Sequence, residues 1–430
     1  MITAKGAGVL ASALAIYILA RLSQVGWLYL VDSVFWGALV LAFVLPWLGV
    51  AFISAHRSAT PADRTKTGGR LSEGDQVNIT VFLKNRLFYP RFFHSVKFAS
   101  TLAGPQEAEQ RFFVAQLPGS GTLKLESTAE AYVRGLHHLG PVILESSAPF
   151  GLFRRRRTLT GPQPMLVLPR VYPLNRLTLV DGQDSQSAKT RVSRSGLDVA
   201  GSRPYVPGDS PRMVHWRNTA RAGRMMVKET EDETDKTLHI MFDSGDVWGE
   251  GKDTNFEYAI KLAVTVADYA LKNGVPVRVW GSHLHGEGVA SATATVDPLG
   301  TTLTWTELLE SLAVASPAGR VAMGEGLASL PTGANIFIVV SADDETAHQN
   351  LRRALARSGE SIVVRLEGFG EPTIHADVGD SLAIAGASVL TCGPGGLART
   401  LSEIEAMGHS NASGASVAPA RKASAEAASL

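Results

Sequence analysis

Cysteine is nearly absent. Cys392 is the only one in 430 residues, so no disulfide can form within the chain. That fits a reducing compartment. An excess of either charge is missing too. Lys and Arg total 41 against 40 Asp and Glu, and a net charge of +1 makes no general case for nucleic acid or acidic partners. The signatures of hydrolysis are also lacking: no nucleophile elbow, no paired catalytic carboxylates and no HExxH helix. No catalytic residue is therefore expected. Gly249-Glu-Gly-Lys-Asp-Thr254 comes nearest to a phosphate-binding loop. Its Gly251-Lys252 requires a glycine where Asp246 stands, and Asp253 follows the lysine. A carboxylate in that place repels phosphate, so no nucleotide cofactor is expected.

What is present begins with two apolar runs. Gly6 to Ala20 carries no charge, and the flanking Lys5 and Arg21 can extend it by snorkelling. Val34 to Ile53 gives 20 residues without a charge. Trp27, Tyr29, Trp36 and Trp47 suit membrane interfaces, and Pro46 suits a kink. Ala7, Ala11 and Ala15 form a small-residue stripe for close helix approach. A cleaved signal peptide would need an Ala-x-Ala site, and a second span follows instead. The expectation is a retained transmembrane helical hairpin over 1–56. Arg57, Arg64, Lys66 and Arg70 follow the second run, against Arg21 in the loop. By the positive-inside rule both termini and the soluble domains face the cytoplasm.

Residues 70–170 read as a β-sandwich. Gln76 to Leu83 alternates polar and apolar residues. Ser95–Phe98, Gln110–Val114, Thr122–Glu126, Ala131–Val133 and Val142–Glu145 are further short strand candidates, separated by turns such as Pro118-Gly119. His137 and His138 are adjacent, so on a strand they point to opposite faces and cannot readily share a metal. Arg154 to Arg157 reads as a solvated edge, with anionic membrane lipid as the other reading. Nucleic acid is not expected, since no wider basic field surrounds it.

Residues 236–408 alternate strands and helices, which predicts a mostly parallel sheet covered on both faces. Leu238–Phe242, Val275–Trp280, Asn335–Val340, Ser361–Leu366 and Ser388–Thr391 are the strands. Phe256–Lys272, Thr304–Ala315, Glu345–Ser358 and Leu397–Met407 are the helices. Ligands of such sheets sit at the carboxyl ends of the strands, which marks Asp243-Ser-Gly-Asp246 and Ser341-Ala-Asp-Asp344. Residues 409–430 are rich in Ala, Ser and Gly, a composition that suits a disordered tail.

The connecting segment 171–235 holds the most patterned stretch of the chain, 201–229. Pro204, Pro207, Gly208 and Pro211 fix turns, which sets directions for Arg203, Tyr205 and Asp209. Met213 to Ala222 suits two helical turns, with Gly223 as the stop. Trp216 offers a large apolar anchor. Arg203, Arg212, Arg217, Arg221 and Arg224 offer forked donors for carboxylate or phosphate. An acidic run follows from Glu229 to Asp235. The arginines either clamp that run within the fold or present a surface to a partner.

Arg203-Pro-Tyr-Val-Pro-Gly-Asp209, Arg212, His215-Trp216-Arg217, Ala220-Arg221 and Val227-Lys228-Glu229 resemble the signature of the family called domain of unknown function 58. Tyr132 to Val142 and Pro149-Phe-Gly-Leu-Phe153 are similar to that family as well, although Ala148 stands where it usually has an acidic residue. The resemblance implies a membrane-anchored bacterial protein with a von Willebrand A-like α/β domain. It also implies a genetic association with MoxR-type AAA+ ATPases, and so an interaction or scaffold role in envelope protein assembly or maintenance. Von Willebrand A domains commonly hold a divalent metal with an Asp-x-Ser-x-Ser loop. Here Asp243 matches, while Gly245 and Val247 replace the serines, so Mg²⁺ binding at Asp243 is the alternative reading.

Overall fold

The computed structural model describes residues 2–63, 69–104, 108–181, 201–206, 214–229, 237–242, 245–280, 293–296, 304–317, 327–328, 330–340, 345–370 and 386–410. The chain divides into two compact units, Met1–Arg170 and Val171–Leu430.

The first unit opens with helices α1 (Ala4–Ser23) and α2 (Gly26–Val50). Both are long and apolar enough to cross a membrane, at 20 and 25 residues. The second starts earlier than the apolar run predicts and takes in Asp32. That carboxylate is buried. Pro46 lies inside α2.

Chain polarity then changes faster than the expected 1–56 hairpin boundary allows. Strand β1 (Ile53–Pro61) starts three residues after α2 and pairs along its whole length with β2 (Gln76–Asn85). The remaining strands are β3 (Arg91–Ser100), β4 (Ala108–Leu117), β5 (Thr122–Glu130), β6 (Gly135–Leu139), β7 (Val142–Ser146), β8 (Arg155–Thr160) and β9 (Gln163–Val167). One antiparallel sheet runs β1-β2-β5. The other runs β8-β7-β3-β6-β9, with β4 also on β3. Alternation makes the shared core: Val77, Ile79, Val81 and Leu83 from β2 meet Val96, Phe98, Leu139 and Leu144 from the other sheet. Ala131–Val133, expected as a strand, is irregular instead, bending at Val133. Its Ala131 amide bonds to Asp75 O and its Tyr132 amide to Leu102 O, so neither joins a ladder.

Arg57 shows why β1 escapes a sequence reading. It was expected to mark the cytoplasmic flank of a span, yet it is buried. Its guanidinium donates to Gly140 O at 2.5 Å and Leu139 O at 3.1 Å, with longer contacts to Gly161 O and Gln163 Oε1. Burial pushes its pKa below the usual arginine value.

The second unit begins with β10 (Gly201–Pro204), α3 (Trp216–Ala222) and β11 (Met226–Glu229). Its main sheet contains β12 (Leu238–Phe242), β15 (Val277–Trp280), β16 (Thr293–Val296), β17 (Asn335–Val340), β18 (Ser361–Leu366) and β19 (Ser388–Cys392). The small hairpin of β13 (Gly249–Glu250) and β14 (Asp253–Thr254) precedes α4 (Asn255–Lys272). Helices α5 (Trp305–Val314), α6 (Glu345–Leu355) and α7 (Leu397–Ser410) complete it. The strand order is β16-β15-β12-β17-β18-β19, parallel except for β16, which sequence reasoning missed. Strands β12, β17 and β18 are almost wholly buried, as continuous apolar runs in a doubly covered sheet should be.

Helix α4 is buried nearly all round, not on one face. The sheet covers one side. Residues 171–181 cover another: the Tyr172 amide donates to Thr265 Oγ1, and Tyr269 Oη donates to Asp181 Oδ1 at 2.8 Å. Burial first, then Asp181, pushes Tyr269 up to about 12.

Candidate docking surface

The patterned stretch 201–229 is built on a two-stranded ribbon. Strands β10 and β11 pair antiparallel, with Arg203 opposite Val227 and Pro204 opposite Met226. The ribbon is extended on both sides of α3. Tyr205 N donates to Met225 O, and His215 N donates to Met226 O at 2.8 Å. Val214 bridges Val227. Those bonds hold 214–215 in an extended form, so the helix expected from Met213 starts only at Trp216. His215 caps it by accepting from the Asn218 amide, and Gly223 ends it at φ 65°. A non-glycine residue would be strained at that angle.

Val214, Met226 and Val227 fill the buried side of this frame, and Thr219 Oγ1 accepts from the Met226 amide at 3.0 Å. Helix α3 itself buries no residue. Trp216 is 70% exposed, so it is no core anchor, and Val206 and Met225 of the ribbon segments are exposed as well. Arg217, Arg221 and Arg224 are exposed, and among the described residues none forms an ion pair with them. Arg217 and Arg221 are four apart and so neighbours on the helix, where like charges repel. Tyr205 is half-buried. Gly208, Asp209, Arg212 and Glu231–Asp235 lie outside the described residues, as do the side chains of Arg203 and Glu229, so the clamp between arginines and acids falls there as well.

The second marked region is the carboxyl edge of the main sheet. Asp243, Asp343 and Asp344 lie outside the described residues. Among the described residues no three His, Cys, Asp or Glu side chains gather as a metal site. Asn255 organises the neighbouring loop: its Oδ1 accepts from the Trp248 amide and its Nδ2 donates to Asp246 O. The run resembling a phosphate loop is the β13–β14 hairpin, with Gly249 opposite Thr254 and Glu250 opposite Asp253. A Cβ on Gly249 would lie 2.1 Å from Asp253 O, which explains the glycine without a ligand.

Tyr258 ties this edge to the turn after β19. Its hydroxyl accepts from the Gly395 amide at 2.7 Å and donates to Asp253 Oδ1 at 3.2 Å. Burial, the largest cause, pushes its pKa up. Cys392 is buried and burial pushes its thiol up as well, the opposite of an activated nucleophile. In the first unit, both ring nitrogens of His137 face main-chain carbonyls, Thr101 O and Val133 O.

Sequence reasoning missed a set of polar residues that grips the end of α2. Arg91 Nη1 donates to Leu48 O, His94 Nε2 lies 3.0 Å from Gly49 O, and Arg157 Nη1 donates to Val50 O at 3.0 Å. These carbonyls lie at the negative end of a helix, where cations are favoured, and Leu48 O also accepts from the Ala51 amide. Burial first, with a contribution from Arg91, holds His94 below the usual histidine pKa, although its bond to Gly49 opposes the shift. The four-arginine run in sequence was the only visible signal.

Residues 201–364 match the family model "Protein of unknown function DUF58". The uncharacterized protein YeaD of Bacillus subtilis (strain 168) is 25% identical over 225 residues, covering 50% of this chain and 53% of that protein. The chain therefore spans about half the length of this curated relative. Among solved structures, the PilB minor pilin of Streptococcus sanguinis is 10% identical, covering 74% of this chain and 88% of that one, with a TM-score of 0.29. The alkylpurine DNA glycosylase AlkC of Pseudomonas fluorescens is 15% identical over 29% of this chain and 34% of that one, with a TM-score of 0.19. At those scores neither likeness bears on the fold.

Proposed function

We propose that this chain is a membrane-anchored interaction protein that docks a partner on the surface around α3 and has no catalytic role of its own. Its hairpin sits in the cell membrane, with both termini and the soluble domains on the cytoplasmic side. Two antiparallel sheets on one core support reading the β-rich region as a sandwich. A mostly parallel sheet whose order reverses between β12 and β17 supports a von Willebrand A-like second domain. The partner class is a MoxR-type AAA+ ATPase, and the work is envelope protein assembly or maintenance.

The observation that carries the docking reading is Trp216. A ring 70% exposed, on a helix that buries no residue and also carries two neighbouring arginines, contributes little to packing its own domain. Trp and Arg are the residues most often found at interface hot spots.

The test is equilibrium binding of the full chain, reconstituted in nanodiscs, to the purified MoxR-type ATPase encoded beside its gene. Trp216→Ala and Arg217→Glu should each weaken binding at least about tenfold, the effect of a hot spot. Their thermal midpoints should match the parent. Saturable binding that neither substitution changes would remove α3 as the dock, and no binding would remove the partner. Parallel runs with Mg²⁺ and with chelator separate this reading from a metal-dependent module centred on Asp243, since docking on α3 needs no metal.

A further inference from the structure

The β domain of the first unit does not simply follow the hairpin. It holds the hairpin at two heights. Leu48, Gly49 and Val50, the last turn of α2, bond to Arg91, His94 and Arg157. The loop before β8 reaches further along the helices. Thr3 Oγ1 donates to Gly151 O, Thr3 N donates to Leu152 O, and Ile2 bridges Phe153. Leu152 packs in one cluster with Ala13, Leu39 and Ala42, and Phe153 sits edge-on to Phe43 at 5.5 Å. Phe43 is seven residues before Val50, which is about 10 Å along a helix axis. The loop therefore lies alongside the hairpin, about 10 Å inside the point where α2 ends.

Next to that loop is a groove of about 550 Å³ walled by Phe93, Phe113 and Phe150, with His94 and Glu145 also lining it. The three rings are 55%, 71% and 52% exposed. Phe93 stacks on Phe113 at 6.4 Å and lies 6.3 Å from Phe92. Phe93 also has φ 57°, a strained angle for a bulky residue, and Phe92 and Phe93 are both turned outward in succession. Arg154 and Arg156 pair with Glu145 at the groove wall, yet their side chains stay 46% and 51% exposed, and Arg155 beside them is exposed. Exposed aromatic patches of this kind mark interaction sites. Aromatic rings at the bilayer edge with arginines at headgroup level are the chemistry of a lipid interface.

We infer that this face of the β domain lies in the lipid interface, with Phe93, Phe113 and Phe150 entering it and Arg154 to Arg156 meeting anionic headgroups. The occupant is the bilayer because the same loop that carries Phe150 packs on the hairpin, so the aromatic face continues the surface of the spans. The inference rests on the reading that the hairpin crosses a membrane.

The experiment places single nitroxide labels on the full chain with Cys392 replaced by Ala, in nanodiscs containing phosphatidylglycerol. Phe113→Cys and Phe150→Cys report the patch, and each is exposed enough to carry a label. Leu41→Cys, on the exposed side of α2, reports insertion of the hairpin, and Glu126→Cys on β5 reports the aqueous side. Collision with oxygen and with a soluble nickel chelate gives depth. Labels at 113 and 150 should favour oxygen, less strongly than the label at 41, while the label at 126 favours nickel. Labels at 113 and 150 that match 126 while 41 is deep would overturn the inference and leave the hairpin standing. A label at 41 that reads as aqueous would overturn the hairpin and this inference with it. In nanodiscs of zwitterionic lipid alone, the oxygen-to-nickel ratio at 113 and 150 should fall at least about twofold, the effect of losing headgroup attraction. An unchanged ratio would overturn the role of the arginines.

Discussion

Arg57→Met is the sharpest test of how the first unit is held together. The stem of methionine fills the space of the arginine stem, so the change removes mainly the guanidinium. Bonds to a charged donor are worth about 1.5 kcal/mol or more each. The two short ones, to Gly140 O at 2.5 Å and Leu139 O at 3.1 Å, together contribute about 3 kcal/mol. The contacts at 3.4 Å add little. Two effects roughly offset one another: methionine avoids the desolvation that lowers the Arg57 pKa, but it leaves buried carbonyls unmet. A loss of about 3 kcal/mol is a change of about 150-fold in an opening equilibrium. The assay is amide hydrogen exchange of β1, β2 and β6 in the full chain in detergent micelles, where slow amides report cooperative opening. Protection should fall by about two orders of magnitude. A fall of less than about threefold would refute the view that Arg57 pins β1 to the opposite sheet.

Glu145 lies 2.7 Å from Arg154 Nε and 3.1 Å from both Lys97 Nζ and Arg156 Nε. Burial pushes its carboxyl up, but the three cations together hold it below the ordinary carboxylate range. A depressed folded pKa gives stability that is complete above about pH 4.3 and is lost as pH falls through the lower folded value. The thermal midpoint of the first unit should therefore drop in acid less in Glu145→Gln than in the parent, and be lower near neutral pH, where three cations lose their partner; equal acid drops would count against this. Tyr258→Phe removes the bonds to Asp253 and Gly395 and should cost about 1 to 2 kcal/mol. Calorimetry of the full chain should show the transition of the second unit lowered by a few degrees, and an unshifted transition would show those bonds to be idle. Cys392, 1% exposed, should react with a thiol reagent only as fast as the second unit opens, so complete labelling of the native protein within the reagent's free-thiol time contradicts the buried placement.

The sequence by itself determined whatever depends on neighbours along the chain. Two long apolar runs become helices because backbone groups are satisfied within each helix. Leu238–Phe242, Asn335–Val340 and Ser361–Leu366 become strands because such short apolar runs suit a sheet covered on both faces. Gly223 stops α3 because it can take φ 65°. What only the tertiary structure decided depends on partners far off in sequence. His56-Arg57-Ser58 looks like a polar flank of a span until β2 pairs with it and carbonyls more than 80 positions away receive the guanidinium. The start of α3 is set by Val214 bridging Val227, which no helix propensity reveals. Trp216 looks like a core residue by type, yet Val214, Met226 and Val227 already fill the buried side of that frame. Burial is a property of what packs opposite, and a single chain position does not carry it.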